Sequence, residues 1–298
     1  MIDHLLRCFL CGSIGCLLLT ACIQPPSAHT IPVPATTVEA TAPVTATATV
    51  DQLASFDQQP WTATSPDGVW QIEGLTALPK ADGEQYYTEM RVKNTDGSIE
   101  WRPVATWSTF GLGYTTPQPL HWSPDGRYLY FTNAPVADGC GLFINASDLQ
   151  RLDLANGEIQ EVLPANTTWS LAIAPDGQTV AYSKTDEVVL LALDTGEVRS
   201  QKVVAAEASY QLGNFAWSPD SQQLAFTIAY APCQPPAWSH SILSMDAQSL
   251  STTTLLEPDQ RRFTITEWAE ATQLLLADAE KQPWVLDITS GALSAGTE

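Results

Sequence analysis

Four aspartates recur along this chain at similar spacing, and carboxylates so arranged could bind a metal ion or exchange protons with a substrate. They are separated by 58, 51 and 44 residues, and each stands in a short phrase of the form Ser-Pro-Asp-Gly or a close variant. Proline presets the backbone at the first central position of a tight turn, and aspartate after it hydrogen-bonds locally. The phrase therefore predicts structural turns rather than a metal site. The aspartates concerned are Asp67, Asp125, Asp176 and Asp220.

The sequence contains few other residues that could take part in catalysis or metal binding. Beyond the N-terminal segment the histidines are His29, His121 and His240, and their spacing does not resemble that of a metal site. The sequence contains no Gly-x-Ser-x-Gly elbow and no glycine-rich phosphate loop. We therefore predict no catalytic residue, no metal and no cofactor. One alternative stays open, because carboxylates from different repeats could meet in a central channel.

The repeated turns are flanked by short apolar segments, which predicts that each turn joins two β-strands. In the second repeat, residues 119–122 precede the turn and residues 127–131 follow it. A second pair of strands follows with its own turn, as at Gly157 and Gly196. Four strands in a unit of 44 to 58 residues are typical of one propeller blade. Five units fit the length, so we predict an all-β, five-bladed propeller of antiparallel sheets, with six blades as the alternative.

The repeats resemble those of TolB-type β-propellers from bacterial envelope proteins. The family consensus is a Trp-Ser-Pro-Asp-Gly turn followed by an apolar strand, and residues 122–126 match it in full. The resemblance covers about residues 60–298 and weakens in the first and fifth copies. The fourth copy has Ser221 in place of the turn glycine, and the fifth keeps only Trp268. The resemblance implies a propeller fold and protein–protein contacts in the cell envelope.

Two cysteines, Cys140 and Cys233, lie at corresponding places in the second and fourth repeats. Cys140 follows Trp122 by 18 residues and Cys233 follows Trp217 by 16. Both therefore fall in long loops between the second and third strands of their units, whereas the matching loop of the third repeat is short. We predict that the two loops reach over the third blade and form a Cys140–Cys233 disulfide. Two separate buried thiols are the alternative.

The N-terminus has the pattern of a bacterial lipoprotein signal. An apolar stretch ends in Leu19-Thr20-Ala21-Cys22, which resembles a lipobox whose cysteine becomes the lipidated first residue. We predict a signal peptide over residues 1–21, a tether rich in Thr, Pro and Ala over 22–57, and the propeller over 58–298. Lipidation of Cys22 would hold the protein outside the cytoplasm, on a membrane. An ordinary cleaved signal or an uncleaved anchor is the alternative.

Tryptophans mark two kinds of position. Trp122, Trp217 and Trp268 each end the first strand of a unit, where we expect them to pack between blades. Trp238 lies in a long proline-rich loop and is the candidate contact for a partner, with loop anchoring as the alternative. A segment at residues 53–56 could complete the last blade.

The net charge of the chain restricts the classes of partner that it can bind. With 13 Lys and Arg against 33 Asp and Glu, the net charge of −20 opposes binding to nucleic acid and to anionic lipid surfaces. We predict a monomer that contacts the membrane through its lipid alone and acts as a binding or scaffolding module for an envelope or extracellular protein. The alternatives are an enzyme acting on polysaccharide or peptide in the channel, and a receptor for a small ligand.

Overall fold

The computed structural model describes residues 48–80, 85–111, 113–137, 139–203 and 209–296. Within these ranges the chain forms one short helix, α1 (Val50–Leu53), and twenty strands in five sheets of four. In order, the five sheets contain β1 (Phe56–Thr64), β2 (Trp70–Pro79), β3 (Gln85–Asn94), β4 (Glu100–Thr109); β5 (Thr115–Trp122), β6 (Tyr128–Pro135), β7 (Leu149–Asp153), β8 (Ile159–Leu163); β9 (Leu171–Ile173), β10 (Thr179–Lys184), β11 (Glu187–Ala192), β12 (Val198–Lys202); β13 (Tyr210–Trp217), β14 (Gln223–Tyr230), β15 (Ser239–Asp246), β16 (Thr252–Asp259); β17 (Thr264–Glu270), β18 (Gln273–Ala277), β19 (Pro283–Asp287), β20 (Leu293–Ala295).

Each sheet is one blade, and its strands are antiparallel neighbours in chain order. The first strands of consecutive blades lie beside one another, because β9 contacts both β5 and β13, and β13 contacts β17. The fourth strands lie on the outside, as the exposed residues of β8 show. Five blades of four strands confirm the fold predicted from the repeats.

The core lies between blades rather than within one of them. Successive residues of a strand point to opposite faces, so a central strand with both faces covered is apolar along most of its length. Phe131 of blade 2 packs with Met90 of blade 1, and Phe226 of blade 4 packs with Leu190 of blade 3. Phe131 and Phe226 are fully buried, which stabilises the fold by about 1.5–3 kcal/mol each. Similar clusters join blades 2 and 3 and blades 4 and 5.

The tryptophans that end the first strands take part in this packing, as predicted. Trp217 and Trp268 are buried, and Trp122 is half-buried against the cluster between blades 1 and 2. Trp217 also donates a hydrogen bond from its indole nitrogen to the carbonyl of Ala172 in the preceding blade, at 3.0 Å. These residues therefore attach blades 2, 4 and 5 to the blade that precedes each of them.

The prediction that residues 53–56 complete the last blade is wrong. Blade 5 takes all four strands from the C-terminal part of the chain, and Phe56 begins the first strand of blade 1. Leu53 is buried against Ala77 and Tyr87 because helix α1 lies on blade 1. Within the described ranges, no hydrogen bond and no buried apolar cluster connects blade 5 with blade 1.

Candidate binding site on the loop face

The connections between strands divide the propeller into two faces. The turn face carries the repeated Pro-Asp turns and the short turns between third and fourth strands. The loop face carries the connections between second and third strands and those between blades, including residues 136–148 and 231–238. Each sequence-predicted residue in the described ranges can be assigned to one face.

The repeated aspartates lie on the turn face, where their carboxylates are occupied locally. Asp125 accepts a hydrogen bond from the Ser123 hydroxyl at 2.6 Å and another from the Arg127 backbone at 3.1 Å. The bond from Ser123 is the main reason why the pKa of Asp125 lies below its usual value. Asp67 and Asp220 make the same pair of bonds. This geometry is that of a self-satisfied turn, not of an open metal ligand.

The third and fourth copies of the turn each depart from the Ser-Pro-Asp-Gly sequence, and a hydrogen bond links the two departures. The third copy has Ala174 where the others have serine, and the fourth has Ser221 with a positive φ of 61° where the others have glycine. The backbone N–H of Asp176 donates to the Ser221 hydroxyl at 3.1 Å. The replacement of the turn glycine by Ser221 therefore adds a hydrogen bond between blades 3 and 4.

On the loop face, the structure contains the disulfide between Cys140 and Cys233, with Cα atoms 6.0 Å apart. Cys140 lies in the loop between β6 and β7, and Cys233 in the loop between β14 and β15. Blade 3 lies between these blades, and its own turn at residues 185–186 is short. The two long loops are thus linked covalently above blade 3.

Side-chain amides fix the first of these loops to the blades beneath it. Gln211 of β13 donates to the Cys140 carbonyl and accepts from the Leu142 backbone, both at 2.6 Å. Asn145 bonds the N–H and the C=O of Leu171 through its amide, at 2.9 and 2.8 Å. The loop from blade 2 is therefore held by blades 3 and 4 as well as by the disulfide.

Beside the blade 2 loop lies a cleft of about 650 Å³. Its walls come from the blade 2 loop, the connection into blade 3, the end of β10 and the start of β13. Trp169 stands in this cleft with 54% of its surface exposed. The described lining residues are Gly141, Leu142, Ile144, Asn166, Thr167, Thr168, Trp169, Ser183, Lys184, Thr185, Tyr210, Gln211 and Leu212.

The described lining of the cleft combines polar and apolar side chains, and it contains no aspartate or glutamate. Asn166 and Thr185 hold left-handed backbone, with φ of 64° and 51°. Such conformations are costly for residues with a side chain and occur often at functional sites. The cleft was not predicted from the sequence, because its lining comes from four separate segments. The signal that was present is Trp169 itself, a tryptophan outside the blade-packing position.

Trp238, the predicted partner contact, is half-buried near the second long loop. Its indole nitrogen donates to Nε2 of His240 at 3.2 Å, and the guanidinium of Arg262 lies 4.4 Å from its ring centroid. His240 in turn bonds the Phe263 carbonyl through Nδ1 at 2.9 Å, so Nδ1 carries the proton of a neutral ring. Burial lowers the pKa of His240. These contacts are those of a loop anchor, and a role of Trp238 in partner binding stays a prediction.

A second group of aromatic side chains lies on the loop face beside blades 1 and 2. Phe110 and Tyr114 contact each other with ring centroids 5.2 Å apart, and both contact Tyr86. Val136 is joined to this group, because its backbone N–H donates to the Tyr114 carbonyl at 2.8 Å. Phe110 and Val136 are 36% and 38% exposed. The loop face therefore presents apolar side chains at two places.

Comparison by sequence finds no matching family model and no matching curated protein. By structure, the chain is similar to dipeptidyl peptidase 4 of Porphyromonas gingivalis, with a TM-score of 0.52 and 10% identity over 79% of this chain and 39% of that chain. It is also similar to the β-propeller domain of the trilobed protease of Pyrococcus furiosus, with a TM-score of 0.48 and 14% identity over 79% and 71% of the two chains. A TolB homologue of Agrobacterium tumefaciens matches with a TM-score of 0.33 and 13% identity over 70% and 84%. The fold is a β-propeller.

The propeller places the remaining predicted residues far apart or leaves them outside its described part. His121 lies at the turn-face end of β5 and His240 at the loop-face end of β15, so the structure does not bring them together. The described residues contain no group of three or more His, Cys, Asp or Glu that could hold a metal ion. No helix in the described ranges is long and apolar enough to cross a membrane. Cys22 and His29 lie outside these ranges.

Proposed function

We propose that this propeller is a binding module, tethered outside the cytoplasm, that recognises a partner protein through its loop face. The observation that carries the proposal is the apolar group around Tyr114, in which Phe110 and Val136 are exposed on that face. A contiguous apolar patch on a monomer surface marks an interaction site, whereas single exposed apolar side chains are normal. Aromatic residues also dominate the binding energy of protein interfaces.

The loops that carry these side chains are held in place before any partner arrives. The disulfide and the amides of Gln211 and Asn145 fix the blade 2 loop, and Val136 is bonded to the segment that carries Phe110 and Tyr114. A surface that needs little ordering on binding loses less entropy when the complex forms. Rigid loops on a rigid ring therefore suit recognition of a protein surface.

The tether is part of the same proposal. Lipidation of Cys22 would attach the chain to a membrane, and residues 22–47, which precede helix α1, would extend from it. In a polyproline-like conformation of ~3.1 Å per residue, this tether would reach roughly 80 Å. The propeller would then search a layer of the envelope for its partner while the lipid keeps it at the surface.

The experiment is capture of the tagged full-length chain from cross-linked membranes, with the captured proteins identified by mass spectrometry. Phe110→Asp and Val136→Asp each place a charge in the proposed interface. Val69→Asp is the matched control, because Val69 is 47% exposed on the turn face. Cys22→Ser tests the tether.

We expect one reproducible partner that is lost with the two loop-face variants, retained with Val69→Asp, and lost when Cys22→Ser mislocalises the chain. If the partner is retained equally by all surface variants, the loop face is not the binding surface. If no partner is captured above background, the proposal of a protein-binding module is wrong.

A further inference from the structure

The cleft above blade 3 has the dimensions and rigidity of a ligand site. Its volume of about 650 Å³ lies within the ~300–1,000 Å³ typical of small-molecule pockets. The Cys140–Cys233 disulfide links the blade 2 loop beside it to the loop of blade 4, and Gln211 fixes the blade 2 loop, which forms one wall. Asn166 and Thr185 hold strained backbone on two further walls.

Four polar groups in this cleft have no structural task among the described residues. The amide of Asn166, the hydroxyls of Thr167 and Tyr210, and the indole N–H of Trp169 make no hydrogen bond to another described residue. By contrast, Thr168 and Ser183 on the buried wall are bonded to each other and to the backbone. These free groups line the same cleft as the exposed Trp169, so they are available to a ligand that stacks on its indole.

Charge and hydrogen-bonding capacity restrict the class of ligand. The described lining contains no carboxylate, and its only ionised group is Lys184 at the exposed rim. An ammonium, an indole N–H, an amide and hydroxyls together offer more donors than acceptors. They suit a ligand rich in oxygen acceptors. The net charge of −20 opposes the approach of an anionic ligand.

A neutral saccharide meets these conditions, because a sugar ring has an apolar face for stacking and a rim of hydroxyl and ether oxygens. We propose that the cleft binds a neutral oligosaccharide segment, stacked on Trp169 and hydrogen-bonded by Asn166, Thr167 and Tyr210. This site is separate from the protein-binding surface at Phe110 and Val136. It does not depend on the proposed partner, and either proposal can fail without the other.

The test is titration calorimetry of the full-length chain with four neutral hexasaccharides: cellohexaose, maltohexaose, mannohexaose and chitohexaose. Trp169→Ala removes the stacking surface, and Trp169→Phe keeps an aromatic ring in its place. Asn166→Gly removes the amide while tolerating the left-handed backbone. Val198→Ala is the matched control, an apolar side chain outside the cleft that is about as exposed as Trp169. Unfolding midpoints of all variants show whether they remain folded.

We expect saturable binding of at least one neutral hexasaccharide, weakened by about tenfold or more in Trp169→Ala. Trp169→Phe should restore part of the affinity, Asn166→Gly should weaken it, and Val198→Ala should leave it unchanged. Absence of binding to all four probes would overturn the proposal. So would binding that Trp169→Ala does not affect, or tighter binding of trigalacturonate or of a proline-rich hexapeptide, which would assign the cleft to an anionic sugar or a peptide.

Discussion

The turn face and the loop face are built from the same twenty strands, yet they use opposite means to reverse the chain. Left-handed backbone on the turn face falls mostly on glycine, as at Gly126 and Gly177. On the loop face it falls mostly on residues with side chains, namely Phe143, Asn166, Thr185, Ala231, Cys233, Arg262 and Lys281. Left-handed backbone costs such a residue on the order of 1–2 kcal/mol. The turn face therefore avoids strain, and the loop face holds it.

This difference separates the part of the fold that local sequence specifies from the part that depends on distant contacts. Turn-face residues satisfy each other within four or five positions, as Ser123 and Asp125 do, so each turn forms without help from the rest of the molecule. Loop-face conformations depend on distant partners, such as Gln211 bonding the Cys140 carbonyl. Strain held by distant contacts is typical of binding surfaces.

Removal of the disulfide should have the largest effect on the difference between the two faces. Cys140 and Cys233 are 93 residues apart, and a cross-link of such separation stabilises a fold by about 2–4 kcal/mol. Replacing both by serine should lower the free energy of unfolding by that amount in urea titration. Each single variant should lose as much as the double variant, because either one removes the bond.

Wild-type protein treated with reductant should behave as the double variant does. Alkylation before reduction provides the check on the premise, because neither Cys140 nor Cys233 should be modified. Two modified thiols would show that the bond is absent, and the loop face would then lose its main covalent support.

A second prediction concerns the turn face, where two equivalent glycines differ in their surroundings. Gly126 has φ of 68°, and a Cβ there would meet nothing nearer than an Asp67 oxygen at 3.8 Å. Gly177 has φ of 70°, but a Cβ there would lie 2.6 Å from Cδ of Pro124. Gly126→Ala should cost about 1 kcal/mol through backbone strain alone. Gly177→Ala should cost about 2–3 kcal/mol, because overlap with a rigid proline adds to the strain.

Urea unfolding of both variants measures this difference directly. Equal losses would mean that neighbouring turns are not packed as the structure has them, and that each turn of this face is independent of the next. A larger loss at Gly126 would reverse the ranking and contradict the close approach of Pro124.

The sequence predicts the turn face well because its determinants are local. Proline and aspartate at fixed places, with glycine usually after them, specify a turn whatever surrounds it, and four readable copies reveal the period of the blades. The disulfide could be predicted for the same reason, since the repeat register aligned Cys140 with Cys233. Even the weak fifth copy could be placed, because Trp268 keeps the position of Trp217.

The cleft could not be predicted, because it exists only through the assembly of four segments from three blades. Trp169 lies outside the blade-packing position in the repeat, but its exposure and its place in the cleft are properties of the fold alone. Trp238 is a second example. Its contacts with His240 and Arg262 depend on the fold and cannot be read from the proline-rich loop in which it lies.

The smallest expected effect concerns pH and compares one histidine from each face. Burial lowers the pKa of both His121 and His240, and Arg262 lowers that of His240 further. An unfolded histidine titrates near pH ~6.5. Below that pH the unfolded chain takes up protons that the folded chain does not, so the free energy of unfolding must fall as pH drops toward each folded pKa.

His240 should contribute the larger part of this loss, because it is nearly fully buried and its Nε2 already accepts from the indole of Trp238. Protonation of Nε2 would remove that hydrogen bond and place a second cation near Arg262. His240→Gln should therefore flatten the fall in stability between about pH 7 and 5 by roughly 1 kcal/mol, whereas His121→Gln should flatten it less. Urea titrations at several pH values give both slopes. If the two variants flatten the curve equally, the hydrogen bonds around His240 do not stabilise its neutral form, and the anchoring of the Trp238 loop must come from Arg262 and the disulfide instead.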